Sequence, residues 1–120
     1  MIGKQLVGAA VLTLSLVANG YAQYTSQTVE ELKLMTDHEL ATEAALACAF
    51  KWIQLEGAEE LVKMGALRQS KAEAEESKRN SEYFTRIGLV VRSRRGQDPS
   101  WLTALKASQS ARDCQRVTIP

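Results

Sequence analysis

Three short stretches place a hydroxyl residue three positions ahead of a carboxylate: "TVEE" at 28–31, "TDHE" at 36–39 and "SKAE" at 70–73. Each has the spacing of a capping box, in which the hydroxyl accepts a first-turn amide and the carboxylate reaches back to the amide of the cap residue. A chain that signals helix starts this often has little length left for anything but helix. A fourth start is predicted at Asp98 and Pro99, an N-cap followed by a proline whose missing amide costs nothing in the first turn.

These signals predict a short helix over 29–35, a long one over 37–55, a continuation or separate helix over 58–68, another long helix over 71–93 and a last one over 99–112. Gly57 and Gly65 are the positions able to end a helix or to let two helices approach closely. In the second helix Leu40, Ala44, Ala47, Cys48, Trp52 and Leu55 recur at helical spacing and form one apolar stripe. In the fourth, Tyr83, Phe84, Ile87, Val90 and Val91 do the same, but only in its second half. Its first half, "SKAEAEESKR", reads as a solvated helix held by pairs such as Glu75 with Arg79, free to project beyond the bundle. "GLVVR" is β-branched enough for a strand but has no partner to satisfy its backbone, so helix is the better reading. The expected fold is all-α: one small helical bundle of four to five helices.

The first residues follow a different logic. Lys4 precedes a largely apolar run over 6–17, and small residues lead to Gly20 and Ala22. That is the layout of a secretory signal peptide over 1–22, cleaved near Ala22. The run is shorter than the roughly 20 residues a membrane-spanning helix needs, so no stable anchor is expected after cleavage. The expected mature domain is 23–120, periplasmic or secreted.

Export decides what the two cysteines mean. In an oxidising compartment an even number of thiols pairs, so Cys48 and Cys114 are predicted to form a disulfide. Alanines flank Cys48 in "LACAFKW", and small residues permit the close helix approach that a bridge requires.

No catalytic constellation stands out. His38 is the only histidine. It lies ten residues before Cys48, about 15 Å along a straight helix and on a different face, too far for a nucleophile pair or a shared metal. No metal site and no cofactor are expected. The pairs Glu59/Glu60 and Glu75/Glu76 point in diverging directions on a helix, whereas acid/base work needs two carboxyls converging on one bond. The mature chain carries fourteen basic and fourteen acidic side chains, a balance that argues against nucleic-acid binding. The balance is uneven along the chain: 23–77 holds eleven carboxylates against five basic residues, 78–120 nine basic residues against three carboxylates. Two oppositely charged halves packing together explain this, as does a basic face turned to a partner.

Arg92, Arg94 and Arg95, followed closely by Trp101, form the strongest local candidate for partner binding, because Arg and Trp are frequent interface anchors. The arginines also suit the negative end of a helix dipole, and Trp101 equally suits a core. The functional expectation is a non-catalytic protein-binding module of the cell envelope, of the immunity, inhibitor, chaperone or accessory type, whose partner is another envelope protein. The alternative is a small enzyme or ligand carrier with an interhelical pocket lined by Trp52, Tyr83 and Phe84.

Overall fold

The protein, seen in a computed structural model, is described over residues 26–120; the predicted signal peptide over 1–22 lies outside the described residues. Five helices and no strand occur among them: α1 (Val29–Lys33), α2 (Asp37–Lys63), α3 (Leu67–Arg95), α4 (Ser100–Ala107) and α5 (Ala111–Arg116). The first two capping boxes form as read. Thr28 and Glu31 exchange hydrogen bonds at the start of α1, and Thr36 and Glu39 do so at the start of α2.

The third box does not form. Ser70 lies a turn inside α3, nearly buried, and its hydroxyl donates across to the Ala58 carbonyl at 2.7 Å. An interhelical acceptor outcompetes the local one because α3 begins earlier, at Leu67, directly after a tight turn. That turn is set by Gly65. At φ +79° it takes the left-handed conformation that ends α2, its amide donating to Val62 and that of Ala66 to Leu61. Gly57 stays helical, so 37–63 is one continuous helix.

The predicted final helix over 99–112, by contrast, is two. α4 stops at Ala107, and Ser110 caps α5 by accepting from the Asp113 amide. The N-cap of α4 is Pro99, while the Asp98 carboxylate binds Arg92 and Lys106 instead of the helix start.

The long helices α2 and α3 form an antiparallel hairpin, and the short ones gather at one end of it. α1 packs on α3, and α4 and α5 on α2, around a core of Leu32, Leu40, Ala44, Tyr83, Ile87 and Leu102. Each of the two shortest helices contributes one buried side chain, Leu32 from α1 and Cys114 from α5. The disulfide joins Cys48 to Cys114 with Cα atoms 5.9 Å apart, so α5 is bolted to the middle of α2.

The other end of the hairpin is a two-helix arm spanning 51–80. Its buried residues are Gln54, Ala58, Ser70, Ser77 and Asn80, all small or polar. They close the helices through hydrogen bonds: Ser77 donates to the Lys51 carbonyl at 2.8 Å, and Asn80 to the Gln54 side chain at 2.9 Å. The first half of α3 is therefore solvated on one face only, and Arg79 pairs with Glu76 rather than Glu75.

Candidate functional site

The arginine cluster lies at the C-terminal end of α3, beside the start of α2. Arg94 spans the junction between α1 and α2: one guanidinium nitrogen donates to the carbonyls of Lys33 and Met35 at 2.8 and 2.7 Å, the other to Asp37 at 3.0 Å. These carbonyls lie at the last residue of α1 and just beyond it, where helical acceptors go unpaired, so a planar fork of donors suits the place better than an ammonium would. Arg95 binds the second Asp37 oxygen at 3.2 Å. Arg92 binds Asp98, whose carboxyl is held below its ordinary range first by the Lys106 ammonium and then by Arg92. Trp101 is packed into the core with 8% of its surface exposed.

The four predicted contact residues are thus close to the head of the molecule, and each has an internal task. Arg92 and Arg95 keep 59% and 50% of their side chains exposed, Arg94 only 29%. The charge asymmetry of the two halves is partly spent within the fold, since Arg94 and Arg95 of the basic half meet Asp37 of the acidic half. His38 sits exposed in the first turn of α2, its Nδ1–H donating to the Pro120 carbonyl.

Of Trp52, Tyr83 and Phe84, Phe84 alone lines either of two clefts among the described residues. Tyr83 is wholly buried in the core. Phe84 borders an open cleft of about 270 Å³ with Gly88, Leu89 and Lys106, and Trp52 packs against the core from α2 with the Lys51 ammonium 4.6 Å over its ring. A second, shallower cleft of about 510 Å³ runs between α4 and α5, floored by Trp101, Ala104 and Val117. Among the described residues no group of three or more His, Cys, Asp or Glu side chains is placed to hold a metal ion.

Among the described residues one titratable pair joins a buried tyrosine to a half-buried carboxylate. The Tyr83 hydroxyl donates to Glu43, with Arg86 stacked 5.8 Å from the tyrosine ring and donating to the Gln27 carbonyl. Burial raises the Glu43 carboxyl above its ordinary value of 4.5, against the lowering effect of the Tyr83 hydrogen bond, and Glu39 adds to the rise. Burial and the Glu43 charge push the Tyr83 phenol upward as well. A carboxyl whose folded pKa lies above its unfolded one takes up its proton more readily in the folded state. Its ionisation therefore costs stability at neutral pH, and the cost fades as pH falls through the raised value toward 4.5. Glu43→Gln should be more stable than wild type at pH 8, with the gap closing by pH 4.5. A gap constant with pH in urea titrations would refute this.

The largest exposed apolar side chains were not legible as such in the sequence. Val62, Met64 and Leu67 flank the turn at the end of the arm and are 54%, 74% and 65% exposed, while Leu34, just after α1, and Leu89, on α3, stand out of the head singly at 87% and 65%. A pattern of single apolar residues among charges looks the same whether they face in or out. The deciding facts were the continuity of α2 through Gly57 and the polar filling of the arm.

Comparison with protein-family models, with curated proteins and with solved structures finds no match for this chain. Its function has to be read from its own surface. Among the described residues no helix is long and apolar enough to cross a membrane.

Proposed function

We propose that this chain is a small exported, non-catalytic protein-binding module of the cell envelope, with the α2–α3 arm as its contact element. The observation that carries the reading is the make-up of the arm: its fully buried residues are all small or polar, Trp52, Leu55 and Leu61 are only half-buried, and Val62, Met64 and Leu67 stand in solvent together at its end. Exposed apolar side chains scattered singly are unremarkable, but three clustered at a protruding end mark a contact surface. Export is supported by the leader-like start of the sequence and by the formed disulfide, which belongs to oxidising compartments. The rigid head, stapled at Cys48 and Cys114, then serves to hold the arm.

The test is in-cell photo-crosslinking. A photoreactive residue substituted at position 62, 64 or 67 should give a discrete protein adduct, and the same residue at Arg112 on α5 should give none. Equal labelling at both ends, or no adduct from any arm position, would remove the arm as the contact element.

A further inference from the structure

We propose that the cleft between α3 and α4 binds a small monocarboxylate whose body is a single apolar ring. The site is separate from the arm and does not depend on it. Phe84, Gly88, Leu89 and Arg92 of α3 line a space of about 270 Å³ together with Asp98, from the loop before α4, and Lys106, from the last turn of α4.

Three side chains set its charge. Arg92 and Lys106 take opposite oxygens of Asp98, at 3.2 and 2.7 Å, so one carboxylate draws both cations to the same place. Asp98 is the less accessible member, with 17% of its side chain exposed against 59% for Arg92 and 50% for Lys106. Two positive charges against one leave a surplus of one on the outer side, and no other charged side chain lines the cleft. Donors are also left over. A guanidinium has five and an ammonium three, and each cation reaches Asp98 through one nitrogen. A carboxylate matches both the surplus charge and the spare donors, whereas a dianion overshoots the charge and a cation is repelled.

The rest of the cleft is apolar. Phe84 is half-buried against the core, and Leu89 is 65% exposed although its neighbours Ile87, Val90 and Val91 are buried. Between Phe84 and Leu89, Gly88 omits a side chain that the packing does not forbid. A Cβ there would meet only the Leu102 side chain, at 3.8 Å, an ordinary contact, and alanine would suit the helix better than glycine. The omission leaves room where the fold does not need it. A ring resting on Gly88 lies between Phe84 and Leu89, and its carboxylate reaches Arg92 one turn on, about 6 Å along the axis. The volume falls just below the roughly 300 Å³ at which small-molecule sites begin, which favours one ring over a stretch of peptide.

The experiment is amide NMR titration of the purified, oxidised protein at low salt with four probes: phenylacetate, phenethyl alcohol, inorganic phosphate and an N-acetylated tripeptide ending in phenylalanine. Phenylacetate should give saturable shifts confined to 84–92 and 98–106. Phenethyl alcohol, the ring without the charge, and phosphate, the charge without the ring, should each bind several-fold more weakly. Lys106→Gln should weaken phenylacetate roughly two- to fivefold, the range of one exposed ion pair, and Asp98→Asn should tighten it by a similar factor, because it removes the internal competitor. Gly88→Ala should weaken it by raising the floor, and circular dichroism checks that each variant is folded. Charges with only a structural task would give Asp98→Asn the opposite sign. No saturable shift, phenethyl alcohol or phosphate equal to phenylacetate, affinity in Gly88→Ala equal to wild type, or weaker binding in a folded Asp98→Asn would overturn the proposal. So would a tripeptide tighter than phenylacetate, which would assign the cleft to the C-terminus of a protein instead.

Discussion

Replacing Cys48 and Cys114 together by alanine is expected to lower the unfolding free energy by on the order of 4 kcal/mol, and to release α5 before the rest of the molecule. The bridge spans 66 positions, so breaking it returns a long loop to the unfolded ensemble. A domain of this size holds about 5–15 kcal/mol in all, so the loss is a large fraction of the total. The local effect follows from α5 itself. It has six residues, far fewer than the dozen or so at which an isolated helix becomes marginal in water, and Cys114 is its one buried side chain. Without the bridge it is held on α2 mainly by the half-buried Val117 and Ile119 that follow it. Alanine is the better replacement, since serine would add a hydroxyl to a buried site. A urea midpoint unchanged from the oxidised wild type, or undiminished amide protection over 111–116, would contradict the account.

Arg94→Ala is expected to cost about 2–3 kcal/mol and to loosen α1 from the head. Charge-assisted hydrogen bonds contribute about 1.5–3 kcal/mol each, and the guanidinium makes three short ones. The sum is reduced because 29% of the side chain is exposed and water replaces part of what is lost. α1 has five residues and one buried anchor, Leu32, so the junction depends on Arg94 as α5 depends on Cys114. Arg94→Lys should recover less than half of the loss, because one ammonium cannot hold both the carbonyls and Asp37. Amide exchange over 29–33 reports the loosening directly; protection in Arg94→Ala equal to wild type would refute the role.

The two predictions concern residues that the sequence offered in different ways. Cys48 and Cys114 were readable as a pair because a leader-like start leads one to expect an oxidising compartment, and two thiols there leave one pairing. Arg94 was readable as a charge and as a helix-end residue, yet its acceptors lie about 60 positions away, and no local pattern names them. Ser70 shows the opposite error. Its spacing to Glu73 was a good local signal, and a better acceptor, the Ala58 carbonyl, came from the neighbouring helix. Ser110, whose hydroxyl accepts from the Asp113 amide, is a helix start that does form; it lay across the predicted end of the last helix at 112 and was not read as a start.

What the sequence determined by itself is the class of fold, the starts of α1 and α2 and the pairing of the cysteines. Caps act over three residues, and a single pair of thiols has no alternative, so these features need no knowledge of the rest of the chain. The tertiary structure alone decided that α2 passes through Gly57 and turns at Gly65, that Arg94 closes the α1–α2 junction, and that Val62, Met64 and Leu67 face solvent at the end of a polar-filled arm. Each of these depends on what a distant helix presents: an acceptor for a serine, a carbonyl for a guanidinium, or no covering surface at all.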